Sequence, residues 1–274
     1  MLKKLFKYEW RDAWRIVGGL NVVVLLLSLL SYFTFSADFM KVVESNDYLA
    51  ILFALYNMLY FAAIMALGFA TYFFFFYRFY KNLYTDEGYL MHTLPVKSHD
   101  LIWSKALVAI IWSVISYLVI IFSFLTYINS IMIADGESSV WRALADALAE
   151  IFELNIPAYG IVTIVLVVLI MLITPFYSMF FGYTAISLGQ LTKKHKVLAA
   201  VGIYFGISYG VQMITSLATV PFSNFMNNVD NLTDDVLFSY LNIVFAISLV
   251  VIAGLTVLFY FITNMIMRTK LNLE

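Results

Sequence analysis

The groups best suited to chemistry in this 274-residue sequence are few and stand close to chain positions rich in charge. His92 and His99 lie seven apart, the second beside Asp100, and His195 sits inside Lys193-Lys194-His195-Lys196. The first pair has the residue types of a metal site and the second cluster those of a polyanion-binding patch. There is no cysteine, which removes thiol nucleophiles, disulfides and thiolate metal sites. No Gly-x-x-x-x-Gly-Lys-[Ser/Thr] phosphate loop occurs, so ATP hydrolysis has no home in this chain. No catalytic residue and no metal site is read here, and the chain is expected not to be an enzyme.

The elements that carry these groups are membrane helices. Only 12% of residues are charged and 63% are hydrophobic, against about 25% charged in a soluble domain, which excludes a water-soluble fold. The charges are segregated, leaving six charge-free runs: 16–37, 48–77, 106–134, 154–192, 197–229 and 236–267. Each exceeds the roughly 20 residues that cross a hydrocarbon core, and continuously apolar stretches such as Val22–Leu30 exclude alternating barrel strands. The sequence therefore predicts an all-α integral membrane protein, one transmembrane domain over 1–274. Its spans are expected near 16–37, 49–77, 105–133, 157–188, 198–220 and 238–266. The first is a retained anchor, because its charged preface and apolar core both outrun those of a signal peptide.

Lysine and arginine set the orientation. Fourteen fall before span 1, between spans 2 and 3, between spans 4 and 5, or after span 6, whereas the opposite loops hold only Lys41 and Arg142. Both termini are thus expected in the cytoplasm, and the basic cluster at 193–196 is read as a lipid-facing topogenic loop, without nucleic-acid binding. Residues 2–15 place Leu2, Leu5, Phe6, Trp10 and Trp14 near one helical face and basic residues elsewhere, the pattern of an amphipathic elbow helix at the inner leaflet.

The segment 81–104 carries the most information. Thr85 offers an N-cap to a helix whose first turn holds Asp86 and Glu87, Pro95 disfavours continuation at Leu94, and Ser98 with Asp100 offers a second start. A short cytoplasmic helix, a break and then span 3 are expected. Tyr89, Leu90 and Leu94 would be apolar side chains on a cytoplasmic connector, a docking element for a partner.

The string Tyr-Thr-Asp-Glu-Gly-Tyr-Leu-Met-His-Thr-Leu-Pro-Val (84–96), between spans 2 and 3 of a six-span chain with a basic amphipathic start, resembles permease subunits of ABC-2 type ATP-binding-cassette exporters from Gram-positive bacteria. That resemblance implies a dimer of six-span subunits in the bacterial plasma membrane, homodimer or related siblings. Each subunit would dock a cytoplasmic ABC ATPase that carries ATP and magnesium. It also implies a coupling helix over 86–94, with Asp86, Glu87, Tyr89, Leu90, His92 and Leu94 as docking residues, and the elbow over 2–15. Unlike the family's common layout, Pro221–Leu237 is short and Asn-rich, so no re-entrant hairpin is expected, and 138–155 reads as an outer amphipathic helix.

Within the spans, Pro175 predicts a kink, and Gly202, Gly206 and Gly210 form a small-residue stripe for close helix packing. The six charge-free runs hold no Asp, Glu, Lys, Arg or His, which disfavours an ion-coupled carrier or channel. A non-transporting scaffold or sensor is the remaining alternative. Asn57, Gln212 and Asn242 are candidates for a substrate path, with hydrogen bonding between helices as the competing role, and a charge-free path suits a hydrophobic, lipid-like or peptide cargo.

Overall fold

The computed structural model describes residues 2–88, 97–153, 158–226 and 234–269. Among these every regular element is helical: α1 (Leu2–Ala13), α2 (Gly19–Thr34), α3 (Ala37–Glu44), α4 (Asp47–Tyr84), α5 (Ser98–Ala134), α6 (Val140–Glu153), α7 (Ala158–Gly189), α8 (Lys196–Met226) and α9 (Asp234–Thr269). Six helical stretches are long and apolar enough to cross a membrane: Leu2–Thr34, Asp47–Tyr84, Ser98–Ala134, Tyr159–Gly189, Lys196–Ser216 and Phe238–Thr269. The chain is a multi-pass, all-helical membrane protein.

Several ends follow from local chemistry. The backbone N–H of Tyr48 donates to Asn46 Oδ1 at 3.0 Å, an Asx cap that opens α4. α3 was not expected from the sequence; Ser36 precedes it, Asp38 lies in its first turn and Lys41 in its last, favourable placements at the two poles of a helix. α7 runs unbroken through Pro175, with the Thr174 hydroxyl donating to Ile170 O and the Ser178 hydroxyl to Thr174 O around the missing amide.

The chain divides into two compact units, Lys3–Phe75 with Leu107–Asn155, and Phe76–Ala106 with Ile156–Glu274 and the first two residues. In the first unit, α1 passes into α2 without a break, through a π-helical segment at Trp14–Gly18. The widened turn cradles Trp112, whose ring lies 5.2 Å from Trp10 and 5.6 Å from Trp14, and a Cβ added at Gly18 would come within 3.3 Å of it. Asn21 Nδ2 donates both to Val17 O in that turn (2.8 Å) and to Ser116 Oγ (3.0 Å), which also accepts from Thr71 (3.3 Å). One buried hydroxyl thus joins α2, α4 and α5, the kind of polar tie that holds helices together in lipid, where apolar contact gives little preference for protein.

In the second unit α7 packs along α9 and on α8. Thr184 donates to Phe259 O at 2.8 Å and pairs with Thr263 at 3.0 Å. Gly182 admits the ring of Phe76, which a Cβ would meet at 2.3 Å, and Gly189 abuts the backbone of Ala200, where a Cβ would come within 2.7 Å of N and Cα.

Candidate functional site

The segment between α4 and α5 begins as a helical turn, 86–88, fixed by charge and close packing. The carboxylate of Glu87 accepts from Lys81 Nζ through one oxygen (2.9 Å) and, with the Asn82 amide oriented to suit its neighbours, from Asn82 Nδ2 through the other (3.0 Å). Asn82 Oδ1 then accepts from Lys105 Nζ at 2.9 Å. Lys105 is only 5% exposed and Asn82 7%, so an ammonium is held in the second unit's interior by an amide that also grips the carboxylate. Gly88 completes the turn: its N–H donates to Thr85 O at 2.7 Å, and a Cβ there would meet the carbonyl of Leu83 at 2.6 Å. The Thr85 hydroxyl, expected to cap the turn, instead donates backward to Lys81 O at 2.6 Å and closes α4.

This turn rests on a rigid base. Phe79 stacks on Tyr183 at 3.8 Å with planes 6° apart, and the Tyr84 hydroxyl donates to Ser187 Oγ at 2.7 Å. On the α5 side, Trp103 meets Phe180 at 5.5 Å and Tyr260 at 5.9 Å. His99 packs edge-on to Tyr260 at 6.0 Å and lies 3.5 Å from Asp100, and among the described residues no three His, Asp or Glu side chains converge as metal ligands.

Of the six predicted docking residues, Asp86 and Glu87 stand in this turn; Tyr89, Leu90, His92 and Leu94 lie outside the described residues. Asn82 and Lys105 escaped the sequence reading. The usable signal is that Lys105 falls on the helical stripe of Leu101, Ile102, Ala106 and Ala109, all buried, so its ammonium needs a partner.

The three path candidates separate. Asn57 donates to Phe53 O at 2.8 Å and accepts a short hydrogen bond from Tyr127; Asn242 accepts from Thr163 at 2.7 Å and donates to Tyr159 O at 3.0 Å. Both are spent on holding helices. Gln212 instead opens on a cleft of about 330 Å³, to which α7 contributes Tyr177, Ser178 and Phe181 and α8 contributes Tyr204, Ser208 and Thr215. Its wall is aromatic: Phe181 lies 4.6 Å from Tyr204 and 5.5 Å from Phe259, and Tyr177 5.9 Å from Phe259. Gly202, Gly206 and Gly210 are on the opposite side of α8, two residues or about 200° from the cleft stripe, and a Cβ on any of them meets nothing within 4 Å. No family model, curated protein or solved structure matches this chain.

Proposed function

We propose that the chain is the permease subunit of an ABC-2 type ATP-driven exporter in a bacterial plasma membrane, working as a dimer and driven by a separate cytoplasmic ATPase that binds ATP and magnesium. The observation that carries this reading is the anchored turn at 86–88. A connector that transmits force must be stiff where it joins the helices it moves, and Glu87, Asn82 and Lys105 tie the turn to the ends of both α4 and α5. The resemblance of 84–96 to the coupling segment of such permeases, the absence of Asp, Glu, Lys, Arg and His from the six charge-free runs and the lack of a phosphate loop support the same reading. The open stripe at Gly202, Gly206 and Gly210 leaves a close-approach face for a second subunit, identical or related.

The test is purification of the tagged chain from its host in mild detergent, with mass spectrometry of what accompanies it. A phosphate-loop ATPase is expected, and it should be lost in the Tyr89→Asp, Leu90→Asp double variant while membrane insertion persists, because carboxylates would enter an apolar docking face. Retained association in that variant, or reproducible recovery of the chain alone, overturns the assignment.

A further inference from the structure

The cleft between α7 and α8 has hydrogen-bonding capacity that the protein leaves unspent. Ser178 donates to Thr174 O, and Thr215 to Val211 O and Gln212 O, so those hydroxyls are satisfied within their own helices. Tyr177, Tyr204, Ser208 and Gln212 make no side-chain hydrogen bond among the described residues, although all four face the same space. Counting 1.5 Å per residue from the loop that joins the two helices, these groups lie roughly 12 to 24 Å along α8 and at similar depth on α7, within the spans. Ser208 and Gln212 are exposed and Tyr177 and Tyr204 half-buried, so within a span these groups would face the bilayer, where a polar partner is favoured over lipid tails.

We infer that this cleft binds an uncharged amphiphile, a hydroxyl- or amide-bearing head group on an acyl chain. Three features select that class. No charge occurs in 154–192 or 197–229, so neither a phosphate nor an ammonium head finds a counter-ion. Two phenols, a serine and a glutamine supply both donors and acceptors, which suits a neutral polyol or amide head. The volume is about ten times the ~30 Å³ of a water molecule, room for a head group and its first methylenes, with Phe181 and Val211 in the wall to receive them. That this amphiphile is also the cargo rests on the exporter reading; its binding does not.

The probe is a monoacylglycerol carrying a diazirine on its proximal acyl carbons, photolysed with the purified full chain in detergent and mapped by mass spectrometry. Labelling of α7 and α8 peptides is expected to saturate and to be competed by plain monoacylglycerol but not by a fatty acid or lysophosphatidylcholine. Ser208→Ala with Gln212→Leu should lower the yield about tenfold or more, the loss of two hydrogen bonds. Gln212→Leu alone, a change that lipid tolerates well, should lower it several-fold and stands in if the double variant fails to insert. Label that rises linearly with probe, or that neither variant alters, marks ordinary surrounding lipid and overturns the site. Saturable labelling of a chain that reproducibly purifies from its host without an ATPase keeps the cleft while removing the exporter. Where the ATPase accompanies the chain, addition of ATP should change the labelled fraction, and an unchanged fraction makes the amphiphile a resident lipid and overturns its role as cargo.

Discussion

Glycine in this molecule does two opposite things, and single added methyls distinguish them. At Gly189 the backbone of Ala200 sits where a Cβ would go, with N and Cα 2.7 Å away, so alanine must push the start of α8 from the end of α7. At Gly206 there is open space. Gly189→Ala is therefore expected to destabilise the chain by about 1–3 kcal/mol, seen as a lower melting temperature in detergent, whereas Gly206→Ala should leave the fold of the single subunit within about 0.5 kcal/mol and act only on association with a second subunit. A sequence displays the regular stripe 202, 206, 210 readily because it repeats every four residues. It hides Gly88, Gly182 and Gly189, since isolated glycines declare a close approach only once the opposing Leu83, Phe76 and Ala200 are in place. For the same reason Lys105 and Asn82 went unread: their bond to each other depends on a juxtaposition of α4 with α5 that no spacing within either helix encodes.

Whole helices were more legible than their ends. Charge-free runs locate all six candidate spans, because hydrocarbon excludes charge and enforces internal backbone bonding at once. The helices run beyond those runs, α4 to Tyr84 and α5 from Ser98, since aromatic and basic residues suit the interface and need not end a helix. α6 shows how an element outside the spans is held. Asn129, on α5, accepts through Oδ1 from the Ser139 hydroxyl (2.8 Å) and the Val140 N–H (2.9 Å), and through Nδ2 donates to Tyr32 (2.8 Å). The Trp141 N–H donates to Ser139 Oγ at 3.2 Å, and Trp141 lies 5.4 Å from Phe122. The amphipathic pattern of 138–155 gives a helix but not its fastening. Asn129→Ala should free the first turn of α6 at a cost of about 1 kcal/mol, read as faster amide exchange over 140–144 with the exchange of α5 unchanged. Equal protection in the variant would mean that ring packing of Trp141 alone seats the helix.

At the scale of the whole molecule, everything proposed about coupling depends on which side of the membrane the anchored turn faces. Fourteen of 16 basic residues lie before the first charge-free run, between the second and third or the fourth and fifth, or after the sixth, and the positive-inside bias predicts that this set is cytoplasmic; the 86–88 turn and Lys193–Lys196 belong to it, while α3 and α6 belong to the other. An even number of candidate spans among the described residues predicts that residues 2 and 269 share a side, so one measurement orients all of them. The absence of cysteine makes that measurement clean, because a single introduced thiol is the only one in the chain. Glu137 and Lys194 are both exposed and lie in loops of opposite assignment. In intact cells a membrane-impermeant maleimide should label Glu137→Cys, and should reach Lys194→Cys only after permeabilisation. The reverse pattern would put the Glu87, Asn82 and Lys105 anchor outside, where no ATP-driven partner can work on it. It would leave the amphiphile cleft as the part of the functional reading that does not depend on orientation.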